Sequence, residues 1–176
     1  MKPGIVMPRY QRCRIPGGTY FFTVNLADRA SRILVDQFDL LRLSIQKTKN
    51  RLPFCMNAWV VLPDHMHCIW TLPKNDNDFS KRWWMIKSRF SREYRQIHSD
   101  LGIRVWQKRF WEHAIRNEKY FIHHMDYIHI NPLKHGHVNQ IVEWPYSSFH
   151  HMVSKGFYSL NWACNERELG DINSGE

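Results

Sequence analysis

Hydrophobic residues recur along the chain with two different periods, and the period of two predicts four strands. Bulky residues alternate along 17–27 after a Gly-Gly pair, which predicts the first strand. Two strand-like runs, 54–62 and 65–72, are joined by a Pro-Asp pair that is typical of turns, so they predict an antiparallel hairpin. The segment 104–117 predicts a further strand, entered through a basic loop.

A period near 3.6 residues predicts three helices. The first spans 36–50 and has acidic residues near its N-terminus. The second spans 79–98, and the third runs from about 118 to 131, where Pro132 is expected to end it. The apolar stripe of the second helix consists of Trp83, Ile86, Phe90, Tyr94 and Ile97. The rest of that helix is covered by cations, namely Lys81, Arg82, Lys87, Arg89, Arg92 and Arg95.

The order of these elements predicts the fold class. Strand, helix, strand, strand, helix, strand and helix follow one another without repeats or a low-complexity linker. This order is typical of an α+β protein, in which helices pack on an antiparallel sheet of the ferredoxin-like kind. The length of 176 residues suits one domain, 1–176, with a basic N-terminal segment at 1–16 and a C-terminal tail at about 140–176.

Composition and charge narrow the function classes. Lys and Arg number 25 against 16 Asp and Glu, for a net charge of +9, which favours a polyanionic partner such as nucleic acid. A basic protein without such a partner is the alternative. The four cysteines form no Cys-x-x-Cys pair, so neither a zinc ribbon nor a disulfide framework is indicated. The N-terminal residues lack the apolar core of a signal peptide and no apolar run is long enough to span a membrane, so we expect a cytoplasmic protein.

The stretch PDHMHCIW (63–70) carries the first candidate for chemistry. Side chains alternate between the faces of a strand, so His65 and His67 project together, with Cα atoms roughly 7 Å apart. Two imidazoles on one face can bind a single cation, whereas Met66 and its alternating neighbours belong to the core on the other face. The alternative is that the two histidines only form hydrogen bonds to the backbone.

The third predicted helix carries the second candidate. Tyr120, Tyr127 and Asn131 follow one another at i, i+7 and i+11, beside the core stripe of this helix. A phenol and an amide oxygen are therefore presented one turn apart at the rim of the core. A purely structural tyrosine is the alternative. Pro132 is expected to push Asn131 towards an extended conformation.

Cations interspersed with aromatic residues, as on the second helix, usually form only a solvated charged surface. Contact with the phosphates of a nucleic acid is the alternative. The candidate contacts are Arg12, Arg14, Arg89, Arg92, Lys108 and Arg109.

Three motifs resemble a known family. NAWVVLPDHMHCIWTLP, RFWEHAIRN and DYIHINPLKHG are similar to the REP-associated tyrosine transposases, which belong to the HUH single-strand nucleases. The resemblance extends in order from GGTYFFTVNL to WPYSSFH and so covers nearly the whole chain. It implies the ferredoxin-like, RRM-like fold of the HUH nucleases.

The resemblance also implies roles for single residues. His65 and His67 stand where the family has its metal-binding histidines, and Tyr127 stands where it has its nucleophile. Asn131 stands at the position of a third, amide-type metal ligand, where related insertion-sequence transposases usually have glutamine. The other histidines nearby, at 123, 124, 129, 135 and 137, match no ligand of the family.

The activity that the resemblance implies is cleavage and transfer of single-stranded DNA at REP hairpins, through a 5′-phosphotyrosine intermediate and with Mg²⁺ or Mn²⁺ as cofactor. We further expect no membrane partner, a nucleoid-associated location and a C-terminal tail packed on or near the DNA site. A monomer is expected, with a dimer as the alternative because related transposases exchange the tyrosine helix between subunits.

Three other functions stay open at this point. The first is a catalytically idle protein that binds REP hairpins. The second is an RRM-like RNA-binding module, because GGTYFFTV partly resembles the RNP1 motif, although its basic residue and second small residue are missing. The third is a metal hydrolase that uses water, for which Tyr127 is dispensable.

Overall fold

The computed structural model describes residues 12–99, 102 and 104–163. Four strands, five α-helices and one 3₁₀ helix form in these residues: β1 (Thr19–Asn25), α1 (Ile33–Asp36), α2 (Phe38–Arg51), β2 (Cys55–Val61), β3 (His65–Thr71), α3 (Phe79–His98), β4 (Trp111–Ile115), α4 (Glu118–Lys134), the 3₁₀ helix (Ile141–Glu143) and α5 (Phe149–Ser154).

The strands form one sheet in the order β2-β3-β1-β4, and every neighbouring pair is antiparallel. Because β3 lies between β1 and β2, the elements from β1 to β4 have the β-α-β-β-α-β arrangement of ferredoxin-like folds. The predicted fold class, an antiparallel sheet with packed helices, is confirmed. None of the helices in the described residues is both long and apolar enough to cross a membrane.

One face of the sheet holds the larger part of the core. Strand alternation directs Tyr20 and Phe22 of β1 and Trp70 of β3 towards α3, where they meet Phe79 and Trp83. The Trp70 and Trp83 rings stack with centroids 4.3 Å apart. Burial of such large rings fixes the register of the sheet, since a slip of one residue would move them to the opposite face.

The opposite face of the sheet is covered by α4, which packs on β2 and β3. Asn117 caps this helix, because its side chain accepts a hydrogen bond from the Tyr120 N–H at 2.9 Å. The prediction that Pro132 ends the helix is wrong. Helix α4 continues to Lys134, the His135 N–H donates to the Asn131 carbonyl, and Gly136 follows with a φ of 68°.

The continuation through Pro132 has a local cause. Proline lacks one N–H and so removes one helical hydrogen bond, at a cost of about 3 kcal/mol in a helix interior. Here the proline lies in the last turn of α4 and is buried, so apolar contacts offset that cost. Asn131 consequently has helical backbone, so the expectation that Pro132 pushes Asn131 towards an extended conformation is wrong.

The segment before β4 also differs from its prediction. The strand within 104–117 is limited to Trp111–Ile115, while Trp106 forms only an isolated bridge with Leu26. The short helix α1 was not predicted. Ile97, expected in the apolar stripe of α3, is 62% exposed, because the helix extends beyond the core at its C-terminal end.

Arg82 is the clearest departure from the sequence pattern. We predicted it among the solvated cations of α3, yet it is 1% exposed. Its guanidinium donates to the carbonyls of Leu52, Pro53 and Asp78 and to the Asp76 carboxylate, at 2.7–3.3 Å. Non-local carbonyl groups at the end of α2 therefore compensate the burial of this charge.

The C-terminal segment covers the outer edge of β2. Val60 forms a bridge with Ser147, the Trp59 N–H donates to Ser148 Oγ, and Trp144 Nε1 donates to the Val61 carbonyl at 3.0 Å. These contacts satisfy backbone groups that an edge strand would otherwise expose.

The assignment of 1–176 to one domain, with its segments 1–16 and about 140–176, stays a prediction, since residues 1–11 and 164–176 lie outside the described part.

Candidate functional site

The two histidines of β3 lie side by side beneath α4. His65 and His67 are 5% and 4% exposed, and their ring centroids are 4.9 Å apart. Both belong to the face of the sheet opposite Trp70, as strand alternation predicted. Two imidazoles are therefore held together on a water-poor surface.

Each histidine uses its Nδ1 for a hydrogen bond to a fixed neighbour. His65 Nδ1–H donates to Asp64 Oδ1 at 2.7 Å, and Asp64 is itself paired with Arg29 at 2.6 Å. His67 Nδ1 lies 2.8 Å from the hydroxyl of Thr23 on β1. In the tautomer in which both Nδ1 atoms donate, both Nε2 atoms present a lone pair, which is the usual arrangement of metal-binding histidines.

The environment keeps both rings neutral. Burial lowers the pKa of His65, and the hydrogen bond to Asp64 partly opposes that effect. Burial lowers the pKa of His67 well below its ordinary value, and the nearby His65 adds to the shift. Neutral imidazole is the form that binds a metal ion, so the pair does not have to lose protons first at neutral pH.

Helix α4 places Tyr127 and Asn131 against this pair. The Tyr127 ring lies 5.4 Å from the His67 ring, and the His135 ring lies 5.3 Å from the His65 ring. Tyr127, Asn131 and His135 are spaced by four residues and so follow one line along the helix. Because its two neighbours on that line contact the two histidines, Asn131 lies between them, opposite the pair.

Asn131 has a free acceptor. The residue is fully buried, and its Nδ2 donates to the Tyr127 carbonyl at 2.8 Å. Its Oδ1 has no hydrogen-bond partner within the described residues. A buried amide oxygen without a partner costs about 1–3 kcal/mol, which a cation bound to it would recover. Among the described residues no three His, Cys, Asp or Glu side chains gather as a metal site.

Lys134 and His135 were not predicted as site residues. Lys134 Nζ lies 5.4 Å from the centroid of the Tyr127 ring and brings a positive charge to the phenol. Thr23 and Asp64, the Nδ1 partners of the histidines, were missed as well. Their role depends on the pairing of β1 with β3 and on the turn before β3, and the sequence signal for it is weak.

A second candidate site is a basic groove of about 540 Å³ between α3 and residues 104–110. Of the predicted DNA contacts, Arg12 and Lys108 line this groove, whereas the other four, Arg14, Arg89, Arg92 and Arg109, do not. Three further cations and four aromatic residues line it, namely Lys87, Arg95, Arg104, Trp83, Trp84, Trp106 and Phe110. Rings and cations in one groove suit a nucleic-acid strand.

The charges in the basic groove are crowded. Arg12 donates to Ser80 Oγ at 2.7 Å and lies 4.3 Å from the centroid of the Phe110 ring. Burial, together with the charges of Arg104 and Arg12, lowers the pKa of Lys87 to about 8. A phosphate in the groove would relieve this repulsion. Outside the groove, Arg92 pairs with Glu93 at 3.0 Å.

Comparison with known proteins finds a close relative in sequence and a close match in structure. None of the protein-family models matches the chain. A REP-associated tyrosine transposase of Escherichia coli (strain K12) is 52% identical over 170 residues, which cover 97% of this chain and 98% of the relative. A solved structure of a REP-associated tyrosine transposase bound to a REP hairpin has a TM-score of 0.82 and 54% identity, and the match covers 89% of this chain and 92% of that one.

Proposed function

The chain belongs to the REP-associated tyrosine transposases and has their HUH fold, and from this premise we propose that it cleaves and rejoins single-stranded DNA at REP-type hairpins with Tyr127 as nucleophile. The observation that carries the proposal is the Tyr127 ring of α4, which lies 5.4 Å from the ring of His67 in the buried histidine pair of β3.

The residues present fit a divalent cation. His65 Nε2, His67 Nε2 and Asn131 Oδ1 would hold Mg²⁺ or Mn²⁺. The amide oxygen suits these ions, whereas the imidazoles also suit Zn²⁺ or Cu²⁺, which would bind more tightly. When bound, such an ion withdraws negative charge from a phosphate oxygen and orients the phosphodiester. Asparagine is shorter than the glutamine of related transposases, but its backbone lies in the helix that packs directly on β3.

Tyr127 supplies the covalent chemistry. Its phenol loses a proton to solvent, the phenolic oxygen attacks phosphorus, and the bond from phosphorus to the 3′ oxygen breaks. The departing 3′ oxygen takes up a proton, so the products are a 5′-phosphotyrosine and a free 3′-hydroxyl. A second 3′-hydroxyl reverses the step and joins new ends. The charge of Lys134 beside the ring attracts the phenolate by Coulomb's law.

The substrate follows from the family and from the basic groove. The solved relative is bound to a REP hairpin, and we propose the same class of DNA for this chain. The groove offers cations to phosphates and rings to unpaired bases. The proposed working form is a monomer, because one chain can supply the histidines, Tyr127 and Asn131. Its proposed location is the nucleoid, because its proposed substrate is DNA.

The test uses an oligonucleotide with a REP hairpin and single-stranded flanks, labelled on either side of the cleavage site. In Mg²⁺ or Mn²⁺ the protein should form a covalent adduct with the fragment that carries the 5′ phosphate. Tyr127→Phe should abolish the adduct and preserve binding, whereas Tyr94→Phe on α3 should leave the adduct intact. His65→Ala and His67→Ala should also abolish it, with thermal melting as the control for folding.

Other outcomes separate the alternative functions. Binding without any adduct would indicate an idle hairpin-binding protein. Undiminished cutting by Tyr127→Phe would indicate a hydrolase that uses water. A preference for RNA over DNA of the same sequence would indicate an RNA-binding module, and activity that survives loss of both histidines would refute the metal assignment.

A further inference from the structure

Four rings with nearly parallel planes lie at the β4 edge of the sheet, and we call them the ring array: Trp111, His113, Tyr120 and His124. The Trp111 and His113 rings are 5.8 Å apart and inclined by 6°. His113 is 5.5 Å from His124, at 12°, and 5.8 Å from Tyr120, at 24°. Such offset stacking is the preferred geometry of aromatic pairs.

Two elements build the array on the same face as the candidate catalytic site. Alternation along β4 directs Trp111 and His113 towards α4, and Tyr120 and His124 are one turn apart on that helix. His124 Nδ1–H donates to the Tyr120 carbonyl at 2.7 Å, which fixes its ring. Trp111 and Tyr120 are nevertheless each 49% exposed, so about half of each large side chain faces solvent.

The array is continuous with the candidate catalytic site through one buried ring. Phe21 of β1 contacts Trp111 and His124 in the array, with centroids 5.7 and 4.9 Å away. The same ring contacts His67 at 5.5 Å and Tyr127 at 5.9 Å. A molecule on the array therefore lies within one ring of the proposed nucleophile.

The array is also continuous with the basic groove. Lys108 and Phe110 line the groove, and the next residue along the chain is Trp111. In the described part of the chain β4 is the edge strand of the sheet, so it separates the groove on the α3 side from Tyr127 on the α4 side. The array lies on the path between them.

We propose that the ring array is a stacking subsite for the unpaired bases next to the phosphodiester that Tyr127 cleaves. This inference rests on the proposed function, since it assigns the subsite to the same DNA. Exposed ring faces bind bases whose own faces are free, so the occupant is a single strand and not the paired stem of a hairpin. Cations of the groove at one end of the path match the phosphates of that strand.

The experiment measures binding in the Tyr127→Phe background, so that cleavage does not interfere. Fluorescence anisotropy compares a REP hairpin with single-stranded flanks against the same hairpin without flanks. Trp111→Ala and Tyr120→Ala should each weaken binding of the flanked hairpin roughly 5- to 100-fold and leave the flankless hairpin unchanged. Trp111→Phe keeps a ring and should retain most of the affinity. Phe157→Ala, at a residue that is 67% exposed elsewhere, is the matched control.

Abasic positions assign the occupant. One hairpin carries abasic positions 5′ of the cleavage site and another carries them 3′ of it. Only on the side whose bases occupy the array should the missing bases weaken binding to the parent protein. With that hairpin, Trp111→Ala should cause no further loss of affinity. Equal losses for flanked and flankless hairpins, or no loss for either alanine variant, would refute the subsite. A Trp111→Ala variant that changes the sedimentation of the protein alone would instead make the array a contact between two copies of the chain.

Failure of the subsite can be distinguished from failure of the proposed cleavage. If the protein with Tyr127 forms no adduct but the array variants still lose the flanked hairpin selectively, the proposed function fails and the stacking subsite stands. If the adduct forms and the array variants bind normally, the subsite alone is refuted.

Discussion

Under the proposal that the basic groove binds DNA, Lys87 predicts that binding weakens at alkaline pH. Its Nζ donates to the Gln107 carbonyl at 2.6 Å and lies 6.0 Å from the Trp106 ring centroid. Burial, and then the neighbouring charges of Arg104 and Arg12, lower its pKa from 10.5 to about 8. In the free protein this ammonium therefore loses its proton within an accessible pH range, whereas an ordinary lysine does not.

The size of the effect follows from the pKa. With a pKa of about 8, Lys87 is protonated in about 90% of molecules at pH 7 and in about 10% at pH 9. If the phosphate binds only the charged form, each pH unit above the pKa makes the free energy of binding less favourable by about 1.4 kcal/mol. Between pH 7 and pH 9 the affinity should accordingly fall by about tenfold.

The assay is anisotropy with a labelled single-stranded oligonucleotide at constant ionic strength, from pH 6.5 to 9.5. Lys87→Arg keeps its charge throughout this range and should bind with a nearly flat pH profile. Lys81→Arg, an exposed position on the same helix, should retain the parent profile. A flat profile for the parent protein, or the same decline in Lys87→Arg, would refute the assignment of the titration to Lys87.

Further predictions concern stability in urea. Tyr158→Phe removes the hydroxyl that donates to Asp126 and should lower the free energy of unfolding by about 1–2 kcal/mol, against less than about 0.5 kcal/mol for Tyr120→Phe. Arg82→Met should lower it by about 3–5 kcal/mol, since carbonyl acceptors and the Asp76 carboxylate lose their donor; a loss below 1 kcal/mol would contradict the compensation described for Arg82. The hydrogen bond from Arg82 lowers the pKa of the Asp76 carboxyl from its ordinary value of 3.8. The stability that this hydrogen bond contributes is therefore present above pH 3.8 and is lost as the pH falls through the lowered pKa. The decline of stability below about pH 4 should therefore be shallower in Arg82→Met than in the parent protein.

Much of the fold could be predicted because its signals are local. Alternation located the hairpin of β2 and β3, and the helical stripe located α3 with its ends at Phe79 and His98. The errors arose where tertiary contacts override local preference. Pro132 is tolerated because it is buried in the last turn of α4, and Arg82 is buried because carbonyl groups from another segment receive its hydrogen bonds.

The candidate site was predictable to a smaller extent. The common face of His65 and His67 follows from strand geometry, and the roles of Tyr127 and Asn131 came from the family resemblance. The free Oδ1 of Asn131 could not be predicted, because it depends on the helix continuing through the proline. The ring array was missed for a related reason, since it joins side chains of β4 and α4 that meet only in the folded chain.

Helix α4, which carries Tyr127, follows every strand of the sheet in the chain. Proteins emerge from the ribosome with their N-terminal end first, so the sheet and its histidine pair are synthesised before this helix is released. Under the proposed mechanism, a nascent or prematurely terminated product that ends before residue 118 can carry the metal-binding histidines but cannot break DNA. Under that mechanism, the order of elements delays the capacity to cut DNA until the nucleophile and its helix have been made.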